Sequence, residues 1–207
     1  DLTISEMISS NALVYNSAKT FKMIEKSPLE DPYFVQISGN KPELIRDAVL
    51  ILNDIEGIDG IDLNCGCPAP KVFNHGSGSN LLGDLNKLVE ILSTVKKYST
   101  KQYTSAKVRI GVNEKIPLEI AKAVESCGVD FMSVHGRTRA GAYKSAVDYD
   151  AIKLMKENVS IPVIANGDIK DYHKAKEVLE YTKADGGYDW SWCYWKTLGL
   201  LSNKTWC

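Results

Sequence analysis

Short apolar runs alternate with longer amphipathic segments along most of the chain, and this alternation restricts the folds that the chain can adopt. Apolar runs typical of strands occupy residues 2–7, 33–37, 61–64, 106–110, 131–135 and 163–166. Helical spacing of apolar residues marks segments 13–26, 43–55, 84–97, 117–127, 149–157 and 172–181. Apolar strands separated by helices are typical of a parallel sheet covered on both faces. The alternation therefore predicts an α/β fold.

The predicted strands end in polar residues, which are the first candidates for a functional site. They are Gln36, Asn64, His135 and Asn166. The carboxyl ends of parallel strands lie together at one edge of the sheet. A (β/α)8 barrel builds its active site at this edge, and a doubly wound sheet uses the same edge, so both architectures are open at this point.

Residues 60–84 form the segment that is richest in reactive side chains. A short apolar run ends at Asn64, and a loop containing several glycines and prolines follows it. The reactive residues of this segment are Asn64, Cys65, Cys67, Lys71 and His75. Because glycine allows the backbone to approach a ligand closely, we predict that this loop contributes to the site.

The overall composition is that of an ordinary globular domain. Of the 207 residues, 44% are apolar and 25% are charged, and the net charge is −1. This balance excludes an extensively basic surface but allows a local basic patch. No apolar run approaches the roughly 18 residues of a membrane span, and no signal peptide is recognisable, so we predict a cytoplasmic protein without a membrane partner.

The five cysteines do not form a pattern typical of disulfides or of a metal site. They are odd in number and scattered, so we expect reduced thiols. Cys65 and Cys67 are close together, but no second cluster of ligands follows them, and we predict no metal site. Nothing in the sequence indicates an obligate protein partner.

Several short motifs resemble those of the dihydrouridine synthase family, whose members are flavin enzymes that reduce uridine in transfer RNA. They occur in the family's order and spacing and are Val35-Gln36, Asn64-x-Gly66-Cys67-Pro68 with Lys71, Gly76-x-Gly78-Ser79-x-Leu81-Leu82, Lys107-Val108-Arg109-Ile110-Gly111, Val134-His135-Gly136-Arg137-Thr138-Arg139 and Pro162-Val163-Ile164-Ala165-Asn166-Gly167-Asp168-Ile169. The resemblance implies an incomplete (β/α)8 TIM barrel that binds FMN, uses NADPH as reductant and acts on tRNA.

The resemblance also implies roles for individual residues. Cys67 matches the cysteine that supplies a proton to C5 of uracil while a hydride is transferred at C6. The residues expected to bind FMN are Gln36, Lys107, His135, Asn166, Gly167 and Asp168. The residues expected to contact uridine or tRNA are Asn64, Lys71, Arg137 and Arg139. Lys107 matches a lysine that faces the pyrimidine edge of the flavin, where a cation stabilises negative charge.

The resemblance ends near residue 186, and the chain divides there. We expect residues 1–186 to form a partial FMN-binding barrel that lacks the family's first strand. Residues 187–207 hold all four tryptophans and two of the five cysteines. Back-translation in the next frame accommodates the family's Gly-Val-Met-Ile-Gly-Arg-Gly strand, so we hypothesise one extra nucleotide near Gly187. The C-terminal helical tRNA-binding domain of relatives is expected to be absent.

Two alternative functions remain open from the sequence. The first is a dihydroorotate-dehydrogenase-like FMN oxidoreductase, which also combines an asparagine at a strand end with a Cys-Pro loop. Lys71 with the glycine-rich run 76–82, and the motif 135–139, favour the tRNA enzyme. The second is a non-functional gene fragment, because a barrel without its first and last strands has two unpaired edges and an open core.

Overall fold

The computed structural model describes residues 2–142, 144–191 and 194–198, and residues 189–191 and 194–198 are described by their backbone alone. The strands are β1 (Thr3–Ile4), β2 (Ile8–Ser9), β3 (Tyr33–Ser38), β4 (Gly60–Cys65), β5 (Tyr103–Arg109), β6 (Phe131–His135), β7 (Val163–Asn166), β8 (Gly186–Ser191) and β9 (Tyr194–Leu198). The helices are α1 (Ser10–Val14), α2 (Ala18–Lys22), α3 (Pro42–Asn53), α4 (Pro70–Asn74), the 3-10 helix (Gly78–Gly83), α5 (Leu85–Tyr98), α6 (Pro117–Ser126), α7 (Tyr149–Glu157) and α8 (Tyr172–Thr182).

The strands form one curled sheet in the order β1-β3-β4-β5-β6-β7-β8-β9, with β2 also paired to β3. All pairs are parallel except β8 with β9, which is antiparallel. The terminal strands β1 and β9 approach each other. Helices connect successive parallel strands, so the prediction of an incomplete (β/α)8 TIM barrel is confirmed.

The core has two parts, one on each face of the sheet. The larger part lies between the sheet and the helices, where the apolar face of each helix packs on the outward-facing strand residues. The smaller part fills the interior of the curl and consists of Leu2, Ile4, Phe34, Phe131, Ile164 and Tyr188. Phe34, Phe131 and Ile164 of this inner cluster lie near the amino ends of their strands, so the polar residues further along the same strands are grouped at the carboxyl edge.

The amphipathic helix predicted after residue 83 is confirmed with its cap. Asp84 accepts a hydrogen bond from the backbone N–H of Lys87 at 3.1 Å, as an N-cap residue does. The apolar face of α5 is buried in the core through Leu88, Ile91, Leu92 and Val95. This helix is the longest that is described, with 14 residues. None of the described helices combines the length and the apolarity of a membrane span.

The N-terminal segment differs from its predicted strand and helix. Residues 2–7 contain only the two-residue strand β1, because the N–H of Gln36 donates to the side-chain hydroxyl of Ser5 at 3.0 Å instead of to a backbone carbonyl. Pairing resumes in β2. The single helix predicted over 13–26 is two short helices, since Asn16 has a left-handed φ of 55° that ends the first one.

The end of the described chain crosses the boundary predicted at residue 187. Strand β8 begins at Gly186 and pairs in parallel with β7 through Tyr188. The predicted anomalous tail therefore begins inside a described strand. Residues 192, 193 and 199–207 of that tail lie outside the described residues, and its proposed origin in another reading frame stays a prediction.

Candidate active site

The loop after β4 is held by the side chain of Asn64. Its Oδ1 accepts the backbone N–H of Gly66 at 3.2 Å and the backbone N–H of Cys67 at 2.9 Å. From the other side, the hydroxyl and the backbone N–H of Ser79 both donate to the Cys67 carbonyl, at 2.8 and 3.2 Å. Cys67 is therefore fixed through its N–H and its carbonyl, while its side chain keeps partial exposure at a cavity.

A buried hydrogen-bond network supports Asn64 from inside the barrel. Asn64 Nδ2 donates to Gln36 Oε1 at 2.8 Å, and Gln36 Nε2 donates to Asp62 Oδ2 at 2.7 Å. The hydroxyl of Ser105 donates to the other carboxylate oxygen at 2.6 Å. Burial raises the pKa of Asp62 to about 6, against the opposing effects of these two donors and of the Lys107 charge.

Lys107 points into the same region from β5. Its ammonium group donates to Asn166 Oδ1 at 3.1 Å and lies 5.1 Å from the centre of the Tyr188 ring. Asn166 in turn donates to the backbone carbonyl of Tyr188 at 3.0 Å. Lys107 lines the cavity and keeps partial exposure, but desolvation in the barrel, with the nearby charge of Arg109, lowers its pKa to about 8.

His135 is neutral at this edge of the sheet. Burial, followed by the positive charges of Lys107, Arg109 and Arg137, lowers its pKa to about 2. Its Nε2 lies 3.4 Å from a guanidinium nitrogen of Arg137. A neutral imidazole can accept a hydrogen bond on one nitrogen and donate from the other, so His135 adds a polar group without adding charge.

Two adjoining cavities open at the carboxyl edge. One of about 190 Å³ is lined by Met7, Gln36, Asn64, Gly66, Cys67, Pro68, Lys107, Arg109, His135 and Asn166. The other, of about 160 Å³, is lined by His135, Arg137, Asn166, Gly167, Asp168, Ile169, Lys170 and Tyr188. His135 and Asn166 line both, so the cavities are neighbours and together suit an elongated ligand.

A larger cleft of about 530 Å³ lies elsewhere, along α7 and α8. None of the residues that were predicted to form the site lines it. Its acidic residues are engaged with neighbours on the surface: Asp148 with Lys115, Asp150 with Tyr181 and Glu177 with Lys174. The chemistry of the strand ends, rather than the size of the cleft, therefore identifies the candidate site.

Arg137 and Asp168 form a bidentate pair beside the second cavity. The guanidinium donates to the two carboxylate oxygens at 3.1 and 2.7 Å, and its Nε donates to the Ser145 carbonyl at 2.6 Å. The side chain of Arg137 is only 6% exposed. Its donors are thus directed mainly to the protein, and it borders the cavity as a buried positive charge.

The remaining predicted residues lie around this centre. Gly167 has a φ of 122°, and a Cβ there would come within 3.0 Å of Val147 and His135, so the position requires glycine. Arg139 stacks on the ring of Phe73 in α4, with 3.7 Å from its guanidinium carbon to the ring centre. Lys71 is exposed on α4 and does not line either cavity.

Two residues of the site were missed from the sequence. Asp62 connects Gln36 and Ser105, and a signal was available, because residues two apart in a strand share a face and Asn64 was a candidate. Arg109 is fully buried and donates to the carbonyls of Gly66 at 2.7 Å and Thr138 at 3.2 Å. It thereby ties the Cys67 loop to the loop after β6. Among the described residues, no three potential metal ligands cluster.

Comparisons with solved structures agree with this fold. The DHODH of Eimeria tenella in complex with ferulenol has a TM-score of 0.52 and 11% identity, covering 82% of this chain and 54% of that one. An old yellow enzyme homologue from Zymomonas mobilis has a TM-score of 0.51 and 13% identity, covering 70% of this chain and 46% of that one. At such low identity these likenesses concern the fold alone.

Sequence comparisons identify the family. A protein of Helicobacter pylori described as a probable tRNA-dihydrouridine synthase is 54% identical over 187 residues, which are 90% of this chain and 57% of that protein. The tRNA-dihydrouridine synthase B of Pectobacterium carotovorum is 43% identical over 186 residues, which are 89% of this chain and 57% of that protein. The chain thus spans little more than half the length of these relatives. The family model for dihydrouridine synthase matches residues 1–188, and the chain belongs to the dihydrouridine synthase family.

Proposed function

We propose that this chain provides the catalytic site of a tRNA-dihydrouridine synthase, which reduces uridine in tRNA to 5,6-dihydrouridine with FMN as cofactor and NADPH as reductant. The observation that carries the proposal is the convergence of Cys67, Asn64, Gln36 and Lys107 on one cavity at the carboxyl edge of the barrel. Membership of the family supports the reaction class. The proposed setting is the cytoplasm, where tRNA is the partner.

The donors around the first cavity fit the polar edge of a flavin ring. Lys107 offers a cation, and Gln36 and Asn166 offer amide groups that are already oriented by hydrogen bonds. A fixed cation at this edge would stabilise negative charge on a reduced flavin. His135, held neutral, would add a donor or an acceptor without charge repulsion.

The second cavity fits the phosphate end of the same cofactor. Gly167 brings the backbone close to the cavity, and the buried guanidinium of Arg137 gives it a positive charge. Asp168 holds that guanidinium in place through its bidentate pair. Backbone amides and an oriented arginine are the groups that bind phosphate most often in proteins, so an elongated FMN would extend from the first cavity into the second.

Cys67 is the proposed proton donor. FMN bound in the cavity and reduced by NADPH would supply the hydride that adds to C6 of uracil. The thiol of Cys67 would give its proton to C5, so that the carbon–carbon double bond is reduced and the thiolate is reprotonated from solvent. The fixed N–H and carbonyl of Cys67 hold the loop while the side chain faces the cavity. Asn64 would meet the uracil edge beside it.

Basic residues outside the cavity are proposed to contact the RNA. Lys71 is exposed on α4, directly after the Cys67 loop, and Arg139 stacks on the same helix through Phe73. Cations at the mouth of the site would bind phosphates of the RNA backbone. A uridine in folded tRNA must leave its stack to reach a buried cofactor, so contacts at the mouth would also hold the extruded nucleotide.

The test measures dihydrouridine formation in unmodified tRNA with FMN and NADPH, using the protein translated with the reading frame corrected after residue 186. We expect Cys67→Ala to lower the rate by at least about a hundredfold, because a positioned general acid contributes this much. Cys65→Ala is the matched control, since that thiol is buried in the core on the other face of β4. Full activity of Cys67→Ala, or turnover of free dihydroorotate without turnover of tRNA, would contradict the proposal.

A further inference from the structure

A continuous chain of hydrogen bonds, called the relay below, runs from the barrel interior to the backbone of the Cys67 loop, the loop that follows β4. It passes from Asp62 to Gln36, from Gln36 to Asn64, and from Asn64 to the N–H groups of Gly66 and Cys67. We propose that Asp62 is a positioning residue that orients Gln36 and Asn64 and thereby fixes the Cys67 loop. The catalytic meaning of this role rests on the proposed function; the orientation itself does not.

The direction of the chain follows from the chemistry of a carboxylate. An ionised aspartate only accepts hydrogen bonds, whereas a primary amide has one accepting end and one donating end. Asp62 therefore requires the NH₂ group of Gln36, which leaves the Gln36 oxygen to face Asn64. That oxygen requires the NH₂ group of Asn64. The Asn64 oxygen must then face the loop, where it accepts two backbone N–H groups.

Burial makes this orientation costly to reverse. Asp62 is 0% exposed, Gln36 4% and Asn64 8%. If one amide turned over, two donors or two acceptors would face each other at each junction, and water has little access to repair the mismatch. The Asp62 carboxylate thus determines which way the amides of Gln36 and Asn64 are turned, although Asp62 does not itself line the cavity.

The contacts of Asp62 favour orientation over charge pairing. Its two oxygens accept from neutral groups, the Gln36 amide and the Ser105 hydroxyl. Lys107, the nearby cation, donates instead to Asn166. Among the salt bridges of the described residues, none joins Asp62 to a base.

The test is amide hydrogen exchange, measured residue by residue by NMR on the full chain. In Asp62→Leu, which keeps the number and branching of the side-chain heavy atoms but not the acceptor, we expect the Gly66 and Cys67 amides to exchange at least about tenfold faster than in the wild type, because a buried acceptor has been removed from the chain of hydrogen bonds. Asp62→Asn is the matched control. Its oxygen can accept from Gln36 while its NH₂ donates to the Ser105 hydroxyl, which can also accept, so the loop amides should stay protected.

The exchange rates of amides outside the Cys67 loop distinguish a general loss of stability from the loss of the relay. Protection in β5 and β6 reports global opening, and we expect the loop amides to accelerate more than these strands do. Equal acceleration everywhere, or unchanged protection of Gly66 and Cys67, would overturn the proposal. If Asp62→Leu does not fold, Gln36→Leu interrupts the relay at its centre and should expose the same two amides; unchanged protection in that variant would overturn the proposal as well.

The double variant shows whether Asp62 acts through Gln36. If it does, adding Asp62→Leu to Gln36→Leu should leave the exchange of the Cys67 amide within about twofold of the single Gln36→Leu variant. If the two substitutions instead multiply their effects on the exchange rate of the Cys67 amide, Asp62 and Gln36 act independently and the proposal is overturned. This readout needs no turnover, so a failure of the frame-corrected protein to reduce tRNA would refute the proposed function while leaving the role of Asp62 to be decided by exchange.

Discussion

The ammonium group of Lys107 lies 3.1 Å from the side-chain oxygen of Asn166, across the intervening strand β6. This contact joins β5 to the carboxyl end of β7, two of the strands that contribute residues to the site. It also places a cation inside the barrel, above the apolar cluster that fills the interior near the amino ends of the strands. The energetic cost of that charge leads to a prediction about pH.

Stability should rise with pH in the range where Lys107 loses its proton. The folded pKa of about 8 lies below the ordinary 10.5 because of desolvation. Between these values the unfolded chain binds more protons than the folded one, so the free energy of unfolding increases with pH. The cost of burying the charge is fully present below pH 8 and disappears above about 10.5.

The comparison of the wild type with Lys107→Met isolates this effect. We expect Lys107→Met to be the more stable protein at pH 7, and its advantage to shrink by up to about 3 kcal/mol between pH 7 and pH 10.5. Urea unfolding at several pH values measures the difference. An advantage that stays constant over this range would show that Lys107 titrates normally in the folded protein.

Removal of Asp168 should leave Arg137 without its carboxylate partner. The guanidinium is buried, whereas the Asp168 side chain is 49% exposed, so water can replace part of the lost interaction. We expect Asp168→Ala to lower the free energy of unfolding by about 1–2 kcal/mol at neutral pH. Thermal or urea unfolding measures the loss, and Asp171→Ala, which removes a helix cap at α8, serves as a surface reference.

The same substitution should change anion binding at the second cavity. Without Asp168, the Arg137 guanidinium keeps its charge and loses a competing acceptor. Inorganic phosphate should therefore bind to Asp168→Ala more tightly than to the wild type, and the stabilisation of the variant by phosphate should be larger. Equal or smaller stabilisation of Asp168→Ala by phosphate would show that Asp168 does not compete with an anion for Arg137.

The reading frame beyond residue 186 gives a further prediction. The family match ends at residue 188, in β8, close to where the composition changes. We predict that the gene carries one extra base in the Gly187 codon, and that its removal restores a Gly-Val-Met-Ile-Gly-Arg-Gly strand. Nucleotide sequencing across codons 184–207 decides the matter. A gene that encodes the tail 187–207 in its normal frame, with no family-like alternative, would contradict the prediction.

The polar strand ends were predictable because strand periodicity and parallel pairing bring them to one edge whatever the details of the loops. Asn64 and Cys67 belong to a motif whose local geometry is set within four residues. Lys107 and Asn166 meet because parallel registers align β5, β6 and β7. These relations depend on regular backbone, which the sequence pattern determines well.

Other features depend on long-range choices between hydrogen-bond partners and were not predictable. Residues 2–7 had a strand pattern, but the Ser5 hydroxyl replaced a backbone acceptor for Gln36 and divided the strand. Arg137 was expected to contact uridine or tRNA, and the structure directs most of its donors to Asp168 and Ser145. A sequence shows that a donor exists, but which of several acceptors it reaches is decided by packing.

Titration with FMN is the most direct test of the central proposal, that the strand-end cavities hold this cofactor with Lys107 at its ring. Flavin fluorescence is followed for the wild type, for Lys107→Met, and for Lys97→Met as a control on the exposed face of α5. We predict saturable one-to-one binding to the wild type and the control, and a Kd at least about tenfold higher for Lys107→Met. Absence of saturable binding to the wild type, or the same Kd for Lys107→Met, would contradict the proposal.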